Sequence, residues 1–187
     1  MAFTAVLFGL VSAVTWGAGD FSGGMAVKRT NPYGVVISAH VMSLFFLAAL
    51  ALIFGERIPP LRDWLWGGAA GLCGGVGLAL LYRALATGQM SVAAPVSALV
   101  AASLPVLVSA FSDGLPRFVT LIGIALALTA VWLISGGVGI EIHLSRLYLP
   151  LMAGMAFGGF FIFLHFGSSA SIFWTLAATR IASISGL

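Results

Sequence analysis

The stretch "DWLWGGAAGLCGGVGLALLYRAL", residues 63–85, decides the fold class. A membrane core about 30 Å thick takes roughly 20 apolar residues to cross as a helix. This run supplies them between Asp63 at one end and Arg83 at the other. Gly67, Gly71 and Gly75 recur every four residues and so share one helix face. Such a face lets a second backbone come close, which is how helices associate in lipid, where no hydrophobic drive separates protein from solvent. It serves equally a bundle whose helices slide and one whose helices are static.

Composition agrees with that reading. The chain has 187 residues, of which 61% are hydrophobic and 7% charged, whereas soluble domains carry roughly 25% charged residues. Water cannot be the solvent for most of this surface. The formal charge is +3 and the pI about 9.6, but the few Lys and Arg are scattered between apolar runs with no basic stripe. They read as cations flanking a membrane, not as a nucleic-acid surface. The single cysteine, Cys73, lies inside an apolar run, so the chain can form no internal disulfide and offers no Cys-based metal site. No cofactor motif stands out.

Outward from the third run, six complete spans are predicted, over roughly 3–25, 33–54, 64–86, 91–111, 118–135 and 147–166. The first has no basic segment before it and is too long for a signal-peptide core, so it is read as a helix that stays. The breaks carry the charges: "KRTNP", "GERIPPLRD", "RALATGQ", "SDGLPR" and "EIHLSR". All are short, leaving no room for a soluble domain. The continuous apolar runs exclude an alternating β-barrel pattern. A seventh run starts near Ser171 and meets the end of the sequence at Leu187, as a fragment of a longer protein would. Lys28, Arg29, Arg83 and Arg146 fall on one side and Arg57, Arg62 and Arg117 on the other, which barely favours either orientation.

Polar residues at membrane depth are functional candidates, because a charge there is costly. Asp20, in "TWGAGDFSGG" (15–24), lies about 17 residues into its run, or roughly 25 Å. Trp16 is four residues earlier and Ser12 a turn before that, giving one polar stripe. The plain alternative is an interfacial carboxylate pairing with Lys28 or Arg29. His40 lies deeper in its own run. It is either a proton or substrate group, with flux changing between about pH 5 and 8, or a neutral histidine bonded inside the bundle. Arg180 is the strongest single case by position. Tyr82 and Arg83 end the third run, where snorkelling to the interface is expected. His165 is also expected at an interface, and Trp64 and Trp66 resemble aromatic belt residues. Pro95 and Pro105 each remove a backbone donor from the fourth run. Ser97 and Ser103 are candidates to meet the freed carbonyls.

Two enzyme readings of "TWGAGDFSGG" are weaker. A nucleotide loop needs G-x-G-x-x-G between strand and helix, and Gly17, Gly19 and Gly23 have the wrong last spacing. The stretch "GAGD" (17–20) resembles the motif of intramembrane aspartyl proteases. That chemistry needs two carboxylates sharing a proton, and Glu56, Asp63, Asp113 and Glu141 all fall in loops.

There is an internal echo. "SAVTWGAGDF" (12–21) resembles "AGMAFGGFFI" (153–162), and each is followed by a run with one basic-type residue partway in, His40 and Arg180. The two copies start about 140 residues apart, after five spans, so the second would be inverted.

The stretches "WGAGDFSGG" and "YRALATGQMSVAAPVSALVAASLPVLVSAF" (82–111) resemble EamA-type members of the drug/metabolite transporter superfamily. The resemblance implies an all-α polytopic membrane protein, a helical bundle of two inverted five-helix repeats. Residues 1–140 would form the first repeat and 141–187 the start of the second. It implies an arginine early in the second helix of each repeat, which Arg180 matches and where His40 stands in the first. It also implies movement of a small metabolite, such as an amino acid, a sugar or a drug-like compound, often outward, across the inner membrane. The mechanism would be alternating access, with no catalysis, no cofactor and no nucleic-acid partner. Proton or ion coupling and pairing of two copies are compatible with that class. The expected substrate-lining residues are Trp16, Asp20, His40 and Arg180, with Tyr82 and Ser97 as lesser candidates.

Overall fold

A computed structural model describes residues 2–86, 90–112, 114, 118–136, 147–168 and 170–187. Among them there are seven α-helices and no strand. They are α1 (Ala2–Ala26), α2 (Pro32–Ile53), α3 (Leu61–Ala86), α4 (Met90–Ser112), α5 (Phe118–Gly136), α6 (Tyr148–Gly167) and α7 (Ile172–Gly186). The observed bounds lie within a few residues of the expected runs. An apolar run with no internal water must satisfy its own backbone, and the helix does so. Among the described residues, four helices are long and apolar enough to cross a membrane: α2, α3, Val92–Ser112 of α4, and α6. Asp113, Arg117, Glu141 and Arg146, and the expected boundary at 140/141, lie outside the described residues.

Contacts set the direction of each helix. Along α3, Gly67 meets Thr175, Gly71 meets Thr179 and Gly75 meets Ser183, so α3 and α7 run parallel. Gly77 meets Phe157, Gly74 meets Phe160 and Gly67 meets Gly167, so α3 and α6 run antiparallel. Gly154 meets Val100 and Gly158 meets Leu104, which makes α6 parallel to α4. The ends of α2 and α6 therefore share one face of the bundle with the starts of α3 and α7.

The glycine face of α3 is the axis of this packing. A Cβ at Gly71 would collide with the backbone carbonyl of Thr179, and one at Gly75 with the Ser183 hydroxyl. Thr175, Thr179 and Ser183 recur every four residues and are fully buried, matching the glycines step for step. On another face of α3, Trp66 stacks on Phe163 with centroids 5.7 Å apart. It is a seam residue between α3 and α6, not the expected belt residue. Helix α5 lies against α4, and α1 sits lightly on α2 and α3.

Helix α4 holds Pro95 and Pro105 within its length. The Ser97 hydroxyl donates to the Ala94 carbonyl and that of Ser103 to Leu99. Each hydroxyl has one proton, so neither serves the carbonyl four residues before its proline, as was expected. Those carbonyls belong to Ser91 and Ala101.

Candidate functional site

Five helices line an open-sided cavity of about 270 Å³. From α1 come Trp16, Gly19 and Asp20; from α2 come Val36, Ala39, His40 and Ser43. Helix α3 supplies Gly74, Leu78 and Tyr82, α6 supplies Phe157 and Phe160, and α7 supplies Arg180. Each polar side chain reaches the cavity for a local reason. The four-residue spacing of Trp16 and Asp20 puts them on one face of α1. The Trp16 ring packs against Phe157 and Phe161, with centroids 6.4 and 6.1 Å away, which fastens that face to α6 although Trp16 stays 48% exposed. Tyr82 passes beneath Gly23, where a Cβ would overlap its ring and hydroxyl. It is 7% exposed and so does not snorkel; the neighbouring Arg83 is exposed and takes that role.

Helices α2 and α7 cross-bond at the cavity. His40 Nδ1 and Ser183 Oγ lie 2.7 Å apart, in a hydrogen bond whose direction follows the imidazole tautomer. Arg180 Nε donates to Ser43 Oγ at 3.1 Å. The pattern is reciprocal: each helix offers a basic side chain and, three residues later, a serine that meets the other helix's basic side chain. Such an exchange requires antiparallel helices. Ser43 and Ser183 escaped the sequence reading because serines are common along this chain and nothing local marks these two. The signal that could have found them is the shared order of His40 with Ser43 and Arg180 with Ser183.

Five of the six expected lining residues thus meet in one cavity. Ser97 does not line it; it is buried in α4, where its carbonyl faces Gly154 of α6. His165 is exposed near the end of α6.

The charges in this cavity are under-partnered by protein. Among the described residues, the half-buried Asp20 carboxylate forms no hydrogen bond and no ion pair, including to Lys28 or Arg29. Arg180 spends Nε on Ser43, and its Nη groups meet no protein acceptor among the described residues. A guanidinium carries five donors, and a charge held out of bulk water without a partner is costly. The arrangement can therefore offer a carboxylate and a guanidinium to a polar solute, with aromatic walls around it.

A sequence model of the EamA-like transporter family matches residues 3–136. The chain belongs to that family. It is thereby a member of the drug/metabolite transporter superfamily, and its apolar helices make it an integral membrane protein. No curated protein and no solved structure shows significant similarity to the chain. The matched residues contain Trp16, Asp20, His40, Tyr82 and Ser97, and Arg180 lies beyond them.

Proposed function

We propose that this EamA-family chain forms the substrate-holding part of a secondary carrier for a small polar metabolite. The carrier works by alternating access at the inner membrane. One observation carries the reading: Asp20, His40 and Arg180, from three different helices, converge on one aromatic-walled cavity with ionic groups left over for a ligand. Trp16, Tyr82 and the two phenylalanines of α6 would pack against the solute, and Asp20 and Arg180 would fix its polar groups. The protease reading finds no support. Acid–base cleavage needs two carboxylates, and among the described residues Asp20 is the sole one in the cavity lining. Asp63, expected in a loop, is instead buried in the first turn of α3 and does not line the cavity.

The proposal extends to architecture. Residues 1–140 form one repeat and 141–187 begin an inverted second one, so that α6 corresponds to α1 and α7 to α2. Two features support the correspondence. His40 and Arg180 each lie eight residues into their helices, counting from Pro32 and Ile172, and their contacts are reciprocal. Alternating access would then be the rocking of one repeat against the other around this cavity.

The test is flux in proteoliposomes holding the full-length protein, with radiolabelled amino acids and sugars as probes. Asp20→Asn and His40→Ala are each expected to lower flux about tenfold while the protein stays monodisperse, the loss of about one charge-assisted contact. Wild-type flux in both variants would remove them from the pathway. A flux that does not vary between about pH 5 and 8 would remove His40 as a proton carrier.

A further inference from the structure

Helix α7 begins on a carboxylate that comes from far away in sequence. Glu56, in the connection between α2 and α3, accepts hydrogen bonds from the Ser171 hydroxyl and from the backbone N–H groups of Ile172, Phe173 and Trp174. In return, Trp174 Nε1 donates to the Glu56 carbonyl at 3.2 Å. Phe54 stacks on Phe173 beside it, with centroids 5.5 Å apart. The first N–H groups of a helix have no partner within it and carry partial positive charge, so a carboxylate is their best acceptor. Most helices find that acceptor locally. Helix α2 does so, since Asn31 accepts from the Tyr33 N–H. Helix α7 also has a local cap in Ser171, which accepts from the Trp174 N–H. Glu56 is thus not needed to make the helix; what it adds is a tie between two elements.

The position of the tie matters. The exchange of His40 with Ser183 and Arg180 with Ser43 lies at the middle of α2, and the tie lies at the end of the same helix pair. Asp20 and Tyr82 lie toward the opposite face, where α1 and α3 end. The tie thus joins α2 and α7, two of the five helices that line the cavity, at the Glu56 face.

We propose that Glu56 is the latch that keeps this face of the bundle shut, and that it must release the start of α7 for the cavity to open there. The inference rests on the alternating-access reading. Its steps are conformational: the five hydrogen bonds are exchanged for water, and the Phe54–Phe173 stack separates.

The experiment reads access and not transport. The full-length protein, with Cys73 replaced by serine, receives Val36→Cys as a reporter, a cavity-lining position that is 1% exposed. A membrane-impermeant maleimide is added to oriented vesicles from either side, with no substrate present. Glu56→Ala is expected to speed labelling from the Glu56 face about tenfold, as the loss of one net hydrogen bond to a charge would. Glu56→Gln, which keeps an acceptor, should give a smaller rise. Labelling from the other face should not rise. Equal rates in wild type and Glu56→Ala, or an equal rise from both faces, would overturn the latch. Should Glu56→Ala fail to elute as a folded species, Phe54→Cys with Phe173→Cys, oxidised to a disulfide with copper phenanthroline, replaces it; the reporter, a lone thiol without a partner, is then labelled by the maleimide. That link is expected to suppress labelling from the Glu56 face, and unchanged labelling overturns the proposal. Access that responds to Glu56 in a protein that moves no probe solute would sink the carrier and spare the latch. Flux without such a response would do the reverse.

Discussion

Helices α1 and α7 both line the cavity, and they are held in opposite ways. Helix α7 brings its backbone against Gly67 and Gly71 of α3 and the Ser183 side chain against Gly75, is cross-bonded to α2 at its middle and is tied at its start to Glu56. Helix α1 also carries glycines, yet a Cβ at Gly9, Gly17 or Gly19 would meet nothing within 4 Å. Its anchors are the Trp16 ring on Phe157 and Phe161 and the passage of Tyr82 beneath Gly23. A glycine at helical spacing therefore marks close packing only where a partner backbone reaches it. For the cavity, the consequence is that Arg180 stands on a firmly seated wall and Asp20 on a lightly seated one. The gap between the two charges is set by how α1 sits.

The largest effect should come from breaking the firm side. In Gly71→Ala the new methyl meets the carbonyl and Cα of Thr179, which are backbone and cannot rotate away. Helices α3 and α7 must then separate, at a cost of about 3 kcal/mol, the upper end for overpacking. The thermal midpoint in detergent should fall by roughly 10 °C. A midpoint within a degree or two of wild type would mean that α7 is not seated on this glycine face.

How much of this contrast is legible in the sequence depends on what kind of signal each feature leaves. The helices are legible because apolar runs of membrane length alternate with charged breaks, a pattern that lipid imposes on every span. The α3 face is legible because Gly67, Gly71 and Gly75 carry their own periodicity. Asp20, His40 and Arg180 are legible because ionisable groups within apolar runs need a reason. The partners are not legible. Ser43 and Ser183 look like any serine in an apolar helix until α2 is laid against α7, about 140 residues further on. Glu56 reads as one more loop charge, because its acceptor role depends on where the start of α7 lands. The emptiness around Gly17 and Gly19 is likewise a fact about neighbours that no local pattern records.

A smaller effect should come from acid at the tie. Burial alone would raise the Glu56 pKa, but the hydrogen bonds from the Ser171 hydroxyl and the Ile172, Phe173 and Trp174 N–H groups outweigh it and hold the carboxylate below its ordinary value of 4.5. A group whose folded-state pKa is depressed adds stability above its unfolded pKa and loses it as pH falls through the folded value. Because the Glu56 carboxylate stays open to solvent, screening cuts what its charge adds, and wild type should therefore melt above Glu56→Gln by about 2 °C at neutral pH, somewhat under about 1 kcal/mol. That margin should close as the pH drops below 4.5. A margin that stays constant from pH 7 to well below 4.5 would show that the carboxylate's charge does not hold α7.

The smallest effect belongs to the light side and is the sharpest check on the comparison. Gly17 lies on α1 with open space where a Cβ would go, so Gly17→Ala adds a methyl without a collision. In water the change would favour the helix by about 1 kcal/mol. In a membrane the unfolded reference is itself helical, because an apolar segment in lipid has no other way to satisfy its backbone, and most of that gain vanishes. The melting midpoint should therefore move by no more than a degree or two, within about 0.5 kcal/mol, as for an exposed substitution. A fall as large as that of Gly71→Ala would show that another backbone seats on this face of α1 in the full-length protein. The light wall of the cavity would then be as firm as the other, and the gap between Asp20 and Arg180 would be fixed by packing.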